Sequence, residues 1–202
     1  MTLDSRPYPL FLMLRGRRVL VVGGGVVAHE KAQTLHAAGA RIHVVAPNVR
    51  PDLASLAETL DTRAFAPCDV DDAWLVVSAA TPEVNRAAKR AADERRVFTV
   101  AVDDVASCSA IGAAQLERGG LTVAISSTGR APALVALLRR ALAAVIPDDI
   151  GAWVTIAEQS RTAWKAGGVP FVDRRPLLLR TLNEMYAAAT LPPTSAQAQG
   201  RT

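Results

Sequence analysis

Two rhythms of apolar and polar positions run through the first half of the chain. Residues 19–22 form an unbroken apolar run rich in β-branched side chains, and residues 26–38 then carry apolar positions at helical spacing until Gly39. Short unbroken runs read as strands buried on both faces, and the longer periodic segment reads as a helix. The same logic predicts a strand at 41–46, a helix at 51–60, a short strand at 62–66, a buried strand at 74–79 and a helix at 83–96. VFTVAV at 97–102 supplies another strand. The order β-α-β-α-β-β-α-β offers helices to both faces of a mostly parallel sheet, so the fold class is α/β of the Rossmann type.

Beyond residue 106 the pattern changes character. Residues 107–120 are less regular, 121–126 read as a strand, and 131–146 form a strongly apolar helix opened by Pro132. Two further helices, at 148–166 and 174–189, flank a Gly-Gly-Val-Pro break, and the end LPPTSAQAQGRT is poor in hydrophobic residues and reads as a disordered tail. The expected division is a nucleotide-binding domain at 1–106, a dimerisation and cleft segment at 107–146, a helical domain at 147–190 and the tail at 191–202. The helix at 131–146 is apolar around more of its circumference than one core face requires. A homodimer interface is the preferred explanation, and an internal cluster of three helices is the alternative.

The turn between the first strand and helix carries the most specific chemistry. Gly23-x-Gly25-x-x-Ala28 fits the dinucleotide fingerprint. In it, Gly23 makes the tight turn, Gly25 lets the backbone approach a pyrophosphate, and Ala28 keeps helix and strand close. The helix then starts with free N–H groups suited to phosphate. One part of the pattern is missing, because Ala46-Pro47-Asn48 stands where an acid normally holds the adenosine ribose. The Asn48 amide is able to bond a ribose hydroxyl and Arg50 to attract a 2′-phosphate, which leaves NAD and NADP both open on chemistry alone. Ligands of such sheets gather at the carboxyl ends of the strands, here residues 23–25, 46–48, 79–81 and 103–104.

Asp103 and Asp104 follow the last of these strands. Either is a candidate general base, and the ordinary alternative for one of them is a helix cap. SSTGRAP at 126–132 combines hydroxyls, a glycine and a cation at a strand-to-helix turn, a composition suited to an anion, with helix capping by Ser126, Ser127 and Thr128 as the alternative.

Composition narrows the partners. Half of the residues are hydrophobic, no window is long and apolar enough to span a bilayer, and the first residues lack the basic and apolar regions of a secretion signal, which points to a cytoplasmic protein with no membrane partner. The net charge of +4 resides in arginine groups such as Arg95/Arg96, Arg139/Arg140 and Arg174/Arg175, without interleaved aromatics or a nucleic-acid motif. That pattern fits a small anionic substrate better than DNA or RNA. Cys68 and Cys108 lack zinc or disulfide spacing, and His29, His36 and His43 have no acid pattern near them in sequence, so no metal site is expected and the histidines read as surface or packing residues.

Taken in order, the stretch YPLFLMLRGRRVLVVGGGVVAHEKAQTLHAAGARIHVVAP, then SAATPEVN, VFTVAVDD and AISSTGRAPALVALLRRAL, resembles the precorrin-2 dehydrogenase family, which includes the N-terminal half of bacterial sirohaem synthase. The resemblance runs from Tyr8 to about Tyr186. It implies an NAD-dependent oxidation of precorrin-2 to sirohydrochlorin on the way to sirohaem, in a homodimer. Some members of the family also insert ferrous iron, so a bifunctional enzyme is the alternative, and an NAD-sensing regulatory domain is a more distant one. By position, Asp103 matches the aspartate implicated in catalysis, and Ser127 matches the serine beside the tetrapyrrole. Val26, Val27, Pro47 and Asn48 match positions that contact NAD, and Thr81 and Asn85 match the segment beside the cofactor. The chain departs from the family's usual residues at Val26, Val100 and Ala113, and no methyltransferase module follows, which implies a stand-alone protein. Precorrin-2 is a polycarboxylate, and Arg130 is the leading candidate to bind it.

Overall fold

The computed structural model describes residues 7–190, so the tail expected at 191–202 lies outside the described residues. The chain forms two compact units, one containing the chain up to Ala113 together with Ser126–Val135, the other Ala114–Ile125 and the chain from Ala136 onward.

The first unit is built on a parallel sheet of five strands: β1 (Arg18–Val22), β2 (Arg41–Val45), β3 (Thr59–Asp61), β4 (Leu75–Ser78) and β5 (Phe98–Ala101). They lie in the order β3-β2-β1-β4-β5, with every neighbouring pair parallel. Successive side chains of β1 point to opposite faces, and both faces are covered. Val19 and Val21 pack with Ala28, Ala32 and Leu35 of helix α1 (Val26–Ala37). Leu20 and Val22 pack with Ala88, Ala91 and Ala92 of helix α3 (Pro82–Glu94). Full burial of each such valine or leucine is worth about 1.5–3 kcal/mol. A central strand buried on both faces therefore reads as the unbroken apolar run seen in the sequence.

Helix α1 stops where the sequence indicates. Gly39 adopts φ +77°, its N–H bonds to the His36 carbonyl, and the Ala40 N–H bonds to the Leu35 carbonyl, the pattern that closes a helix on a left-handed glycine. The segment after β2 differs from expectation. Helix α2 is a single turn (Pro51–Ala54) where a helix at 51–60 was expected, and β3 occupies Thr59–Asp61, earlier than the expected 62–66. The cause is pairing with β2: Leu53 is buried beneath the turn, the Glu58 N–H donates to the Ile42 carbonyl at 2.8 Å, and Arg41 forks onto the Glu58 carboxylate. These contacts draw the chain to the sheet edge before a second helical turn forms.

In the second unit, strands β6 (Ala114–Arg118) and β7 (Leu121–Ile125) form an antiparallel hairpin, so part of the region read as irregular is a strand. Its two-residue turn is Gly119-Gly120, with φ +54° and +83°, as a turn that follows strand twist requires. A side chain at Gly119 would lie 2.5 Å from the Gly151 nitrogen at the start of helix α5 (Ile150–Ala166). Helix α6 (Phe171–Thr190) begins before the expected residue 174. It meets α5 through Trp153, whose Nε1–H donates to the Tyr186 hydroxyl at 2.8 Å, the two rings lying edge to face. Helix α4 (Pro132–Val145) buries none of its residues.

Candidate functional site

The parallel ladder continues past the ends of its strands and aligns their tips. The Gly23 N–H donates to Val45, Ala79 to Val22, and Val102 to Ser78, at 2.8–3.1 Å. The glycine turn after β1, the 46–50 loop after β2, the 79–81 loop after β4 and Val102-Asp103 after β5 thus share one edge of the sheet.

The three glycines of the turn have different tasks. Gly23 sits at φ +123°, and a Cβ there would lie 2.3 Å from the Ala79 carbonyl oxygen, so it is required by the turn and by its neighbour strand. Gly24, to which the sequence motif assigns no role, is the most crowded: a Cβ would lie 1.8 Å from the Asn48 carbonyl oxygen and 2.9 Å from Val49 Cα. The loop after β2 crosses directly over it, and the Arg50 N–H donates to the Gly24 carbonyl at 3.1 Å. A Cβ at Gly25 meets nothing within 4 Å. Gly25 caps α1 without any side-chain bond to the helix's free N–H groups, the first turn holds no acid, and Val26 is 54% exposed. Crowded support beneath and an open face at Gly25 fit a pyrophosphate laid against the helix N-terminus.

Around this cradle, Pro47 and Asn48 are exposed. The Arg50 guanidinium forks onto Asp52 through Nε and Nη2, with bonds of 3.0 and 2.7 Å. The Arg50 bonds hold the Asp52 carboxyl down at about 2. Thr81 is exposed at the N-terminus of α3. Buried Asn85 pins the loop before it, its Oδ1 accepting from the Ser78 hydroxyl and the Ala80 N–H.

The acidic pair resolves into two roles. Asp104 caps the short turn at Val105–Ser107, its carboxylate accepting from the Ser107 N–H at 3.2 Å. Asp103 is exposed, adopts the left-handed φ of +57°, and its side chain makes no bond among the described residues. A non-glycine residue in that region carries a strain of about 1–2 kcal/mol. Such outliers concentrate at functional sites.

SSTGRAP is brought to the same place. Gly129 packs so closely on Val105 that a Cβ there would lie 2.6 Å from Val105 Cγ2, which sets this turn beside the segment that follows Asp103. Thr128 and Gly129 are both left-handed. The Ser127 hydroxyl accepts from the Ala131 N–H at 2.9 Å and the Ser126 hydroxyl from the Thr128 N–H at 3.0 Å, so both serines cap the turn. Arg130 is exposed, and among the described residues its guanidinium reaches only the Ser127 carbonyl, at 3.4 Å.

The histidines divide between packing and surface, with His36 exposed. His43 is buried in β2, its Nε2 2.9 Å from Asp61 Oδ2 and its Nδ1 against Arg18. His29 Nδ1 lies 3.7 Å from Asp52. The acids come from other strands and loops, so no linear pattern announces them. Among the described residues, no group of three or more His, Cys, Asp or Glu is arranged to hold a metal ion.

A parallel sheet with an open glycine turn at its carboxyl edge defines a dinucleotide-binding protein of the Rossmann class. Residues 10–114 match the model of a family described as putative NAD(P)-binding, and residues 118–144 match that of the central part of sirohaem biosynthesis proteins. Siroheme synthase 1 of Aeromonas hydrophila is 42% identical over 163 residues, covering 78% of this chain and 35% of that protein. Siroheme synthase of Zymomonas mobilis is 36% identical over 184 residues, covering 89% of this chain and 39% of that protein. The chain thus spans well under half the length of these curated relatives. A solved structure titled "SirC, precorrin-2 dehydrogenase" shares the fold with a TM-score of 0.68 at 23% identity, over 86% of this chain and 88% of that one. The chain belongs to the putative NAD(P)-binding family.

Proposed function

We propose that this chain is an NAD-dependent dehydrogenase that oxidises precorrin-2 to sirohydrochlorin during sirohaem formation. The observation that carries the reading is the single sheet edge on which an open glycine turn, a strained and unpartnered Asp103 and the SSTGRAP turn occur together.

NAD supplies the hydride acceptor when bound. The chain's own residues bind and orient. Gly23 and Gly24 keep the turn flat against its neighbours, and Gly25 with the first N–H groups of α1 receives the pyrophosphate. Val26, Val27, Pro47, Asn48 and Thr81 border that place. The oxidation removes a hydride and a proton from the reduced macrocycle, and the Asp103 carboxylate accepts the proton. Arg130 pairs with a substrate carboxylate, and Ser127 fixes the turn that carries it.

Helix α4 supports a homodimer: its four leucines and Val145 lack cover, Leu137 being 63% and Val145 76% exposed. Exposed apolar stripes of that extent mark an interface. No helix among the described residues is long and apolar enough to cross a membrane, and we place the enzyme in the cytoplasm.

Anaerobic mixing of the protein with precorrin-2 and NAD tests the reading by absorbance. NADH and sirohydrochlorin are expected to appear together without added metal. Binding of NAD without turnover would overturn the enzyme in favour of a sensor, and uptake of ferrous or cobaltous ion into the product would add metal insertion to the activity.

A further inference from the structure

The missing acid after β2 leaves open how the site distinguishes NAD from NADP. The loop that follows β2 crosses Gly24 with its backbone in contact, and the Arg50 N–H is bonded to the Gly24 carbonyl. Arg50 is thereby fixed beside the glycine turn, at the strand end where the adenosine ribose of a dinucleotide lies in this class of sheet. An arginine there is the usual partner of a 2′-phosphate.

In this chain that arginine is already engaged. Its Nε and Nη2 donate to Asp52 Oδ1 and Oδ2 at 3.0 and 2.7 Å, a two-pronged pairing that takes one of the two bidentate edges of the guanidinium and neutralises its charge. Asp52 is itself held in place: its Oδ1 accepts from the Leu53 N–H at 2.9 Å, and its Oδ2 faces His29 Nδ1 at 3.7 Å. We propose that Asp52 is the specificity-determining residue that makes the site choose NAD over NADP, by occupying Arg50 and by presenting its own negative charge to a 2′-phosphate. It does from the following turn what an acid at the end of β2 does elsewhere, through repulsion of the wrong ligand.

This inference rests on the dinucleotide site proposed above and deepens it. Isothermal titration of the full chain with NAD and with NADP, without substrate, reads it directly. The unaltered protein is expected to bind NAD at least about tenfold more tightly than NADP. Asp52→Asn keeps an acceptor for the Leu53 N–H while releasing Arg50, and the ratio of the two dissociation constants is expected to move towards NADP by about tenfold. Adding Arg50→Gln to Asp52→Asn is expected to abolish that gain, which separates release of the arginine from simple loss of repulsion. Asp52→Ser serves the same purpose if Asp52→Asn does not fold, with circular dichroism as the check. An unaltered protein that binds both equally, or a ratio unmoved by Asp52→Asn, overturns the proposal while leaving the dinucleotide site standing. A protein that binds neither nucleotide overturns both.

Discussion

From Val19 to Val22 every residue of β1 is buried, one face under α1 and the other under α3, whereas α4, with Leu134, Leu137, Leu138 and Leu142 along it, buries none of its residues. The two regions are similarly apolar in sequence. The sheet completes its own core, and α4 presents an apolar face that no described residue covers. That difference separates substitutions that act within one chain from those that act on association.

The largest effect is expected in the sheet unit. Gly24→Ala places a methyl group against the backbone of Asn48 and Val49, which cannot yield as a side-chain tip does, and should cost at least ~3 kcal/mol in chemical denaturation, with NAD binding lost. Gly25→Ala meets no protein atom; it should keep stability within about 1 kcal/mol while weakening NAD by calorimetry. Equal destabilisation by both would mean that Gly25 is structural and not a ligand cradle. On the α4 side, Leu137→Glu should leave the fold intact by circular dichroism and weaken self-association by about a hundredfold or more in sedimentation. Unfolding of the monomer instead would show that α4 belongs to a core.

A smaller effect belongs to buried Asp69, which accepts two bonds from Arg63 and one from the Ala66 N–H. Burial opposes its charge, and the Arg63 bonds overcome that opposition, so its carboxyl titrates below the ordinary range. A carboxyl depressed in the folded state stabilises above its unfolded value and loses that stabilisation as pH falls through the folded one. Asp69→Ala should therefore cost about 2 kcal/mol at neutral pH, and the gap to the unaltered protein should shrink below about pH 4 in urea unfolding. The mildest test uses the thiols: burial pushes Cys108 up, with a backbone bond from Ala101 opposing it, and Cys68 is exposed. Iodoacetamide should label Cys68 in the folded protein and reach Cys108 only on unfolding, as mass spectrometry would record.

Much of the sheet unit was legible because its signals are local. Gly23 and Gly39 need left-handed or crowded backbone, and β1, β2, β4 and β5 are short, mostly apolar runs. Gly24 was not assigned because its reason is Asn48, far along the chain. The same holds for His43, whose Asp61 and Arg18 come from neighbouring strands, and for Asp52, whose meaning depends on the loop crossing Gly24. Strand β6 is hard to read in the sequence although Gln115 and Glu117 alternate with buried Leu116 before Gly119-Gly120, because its period of two is short and its neighbours are irregular. At the candidate site, Asp103 and Ser127 were reached by motif and resemblance, but only the structure separates the free Asp103 from the capping Asp104.

On the proposed reading, Asp103 takes the proton released as the macrocycle is oxidised at the edge of this sheet. Anaerobic turnover of precorrin-2 with NAD by Asp103→Asn, with NAD affinity and thermal stability measured on the same sample, tests it most directly. Turnover is expected to fall by about a hundredfold or more while both controls hold. Near-unaltered turnover by the folded variant would contradict it.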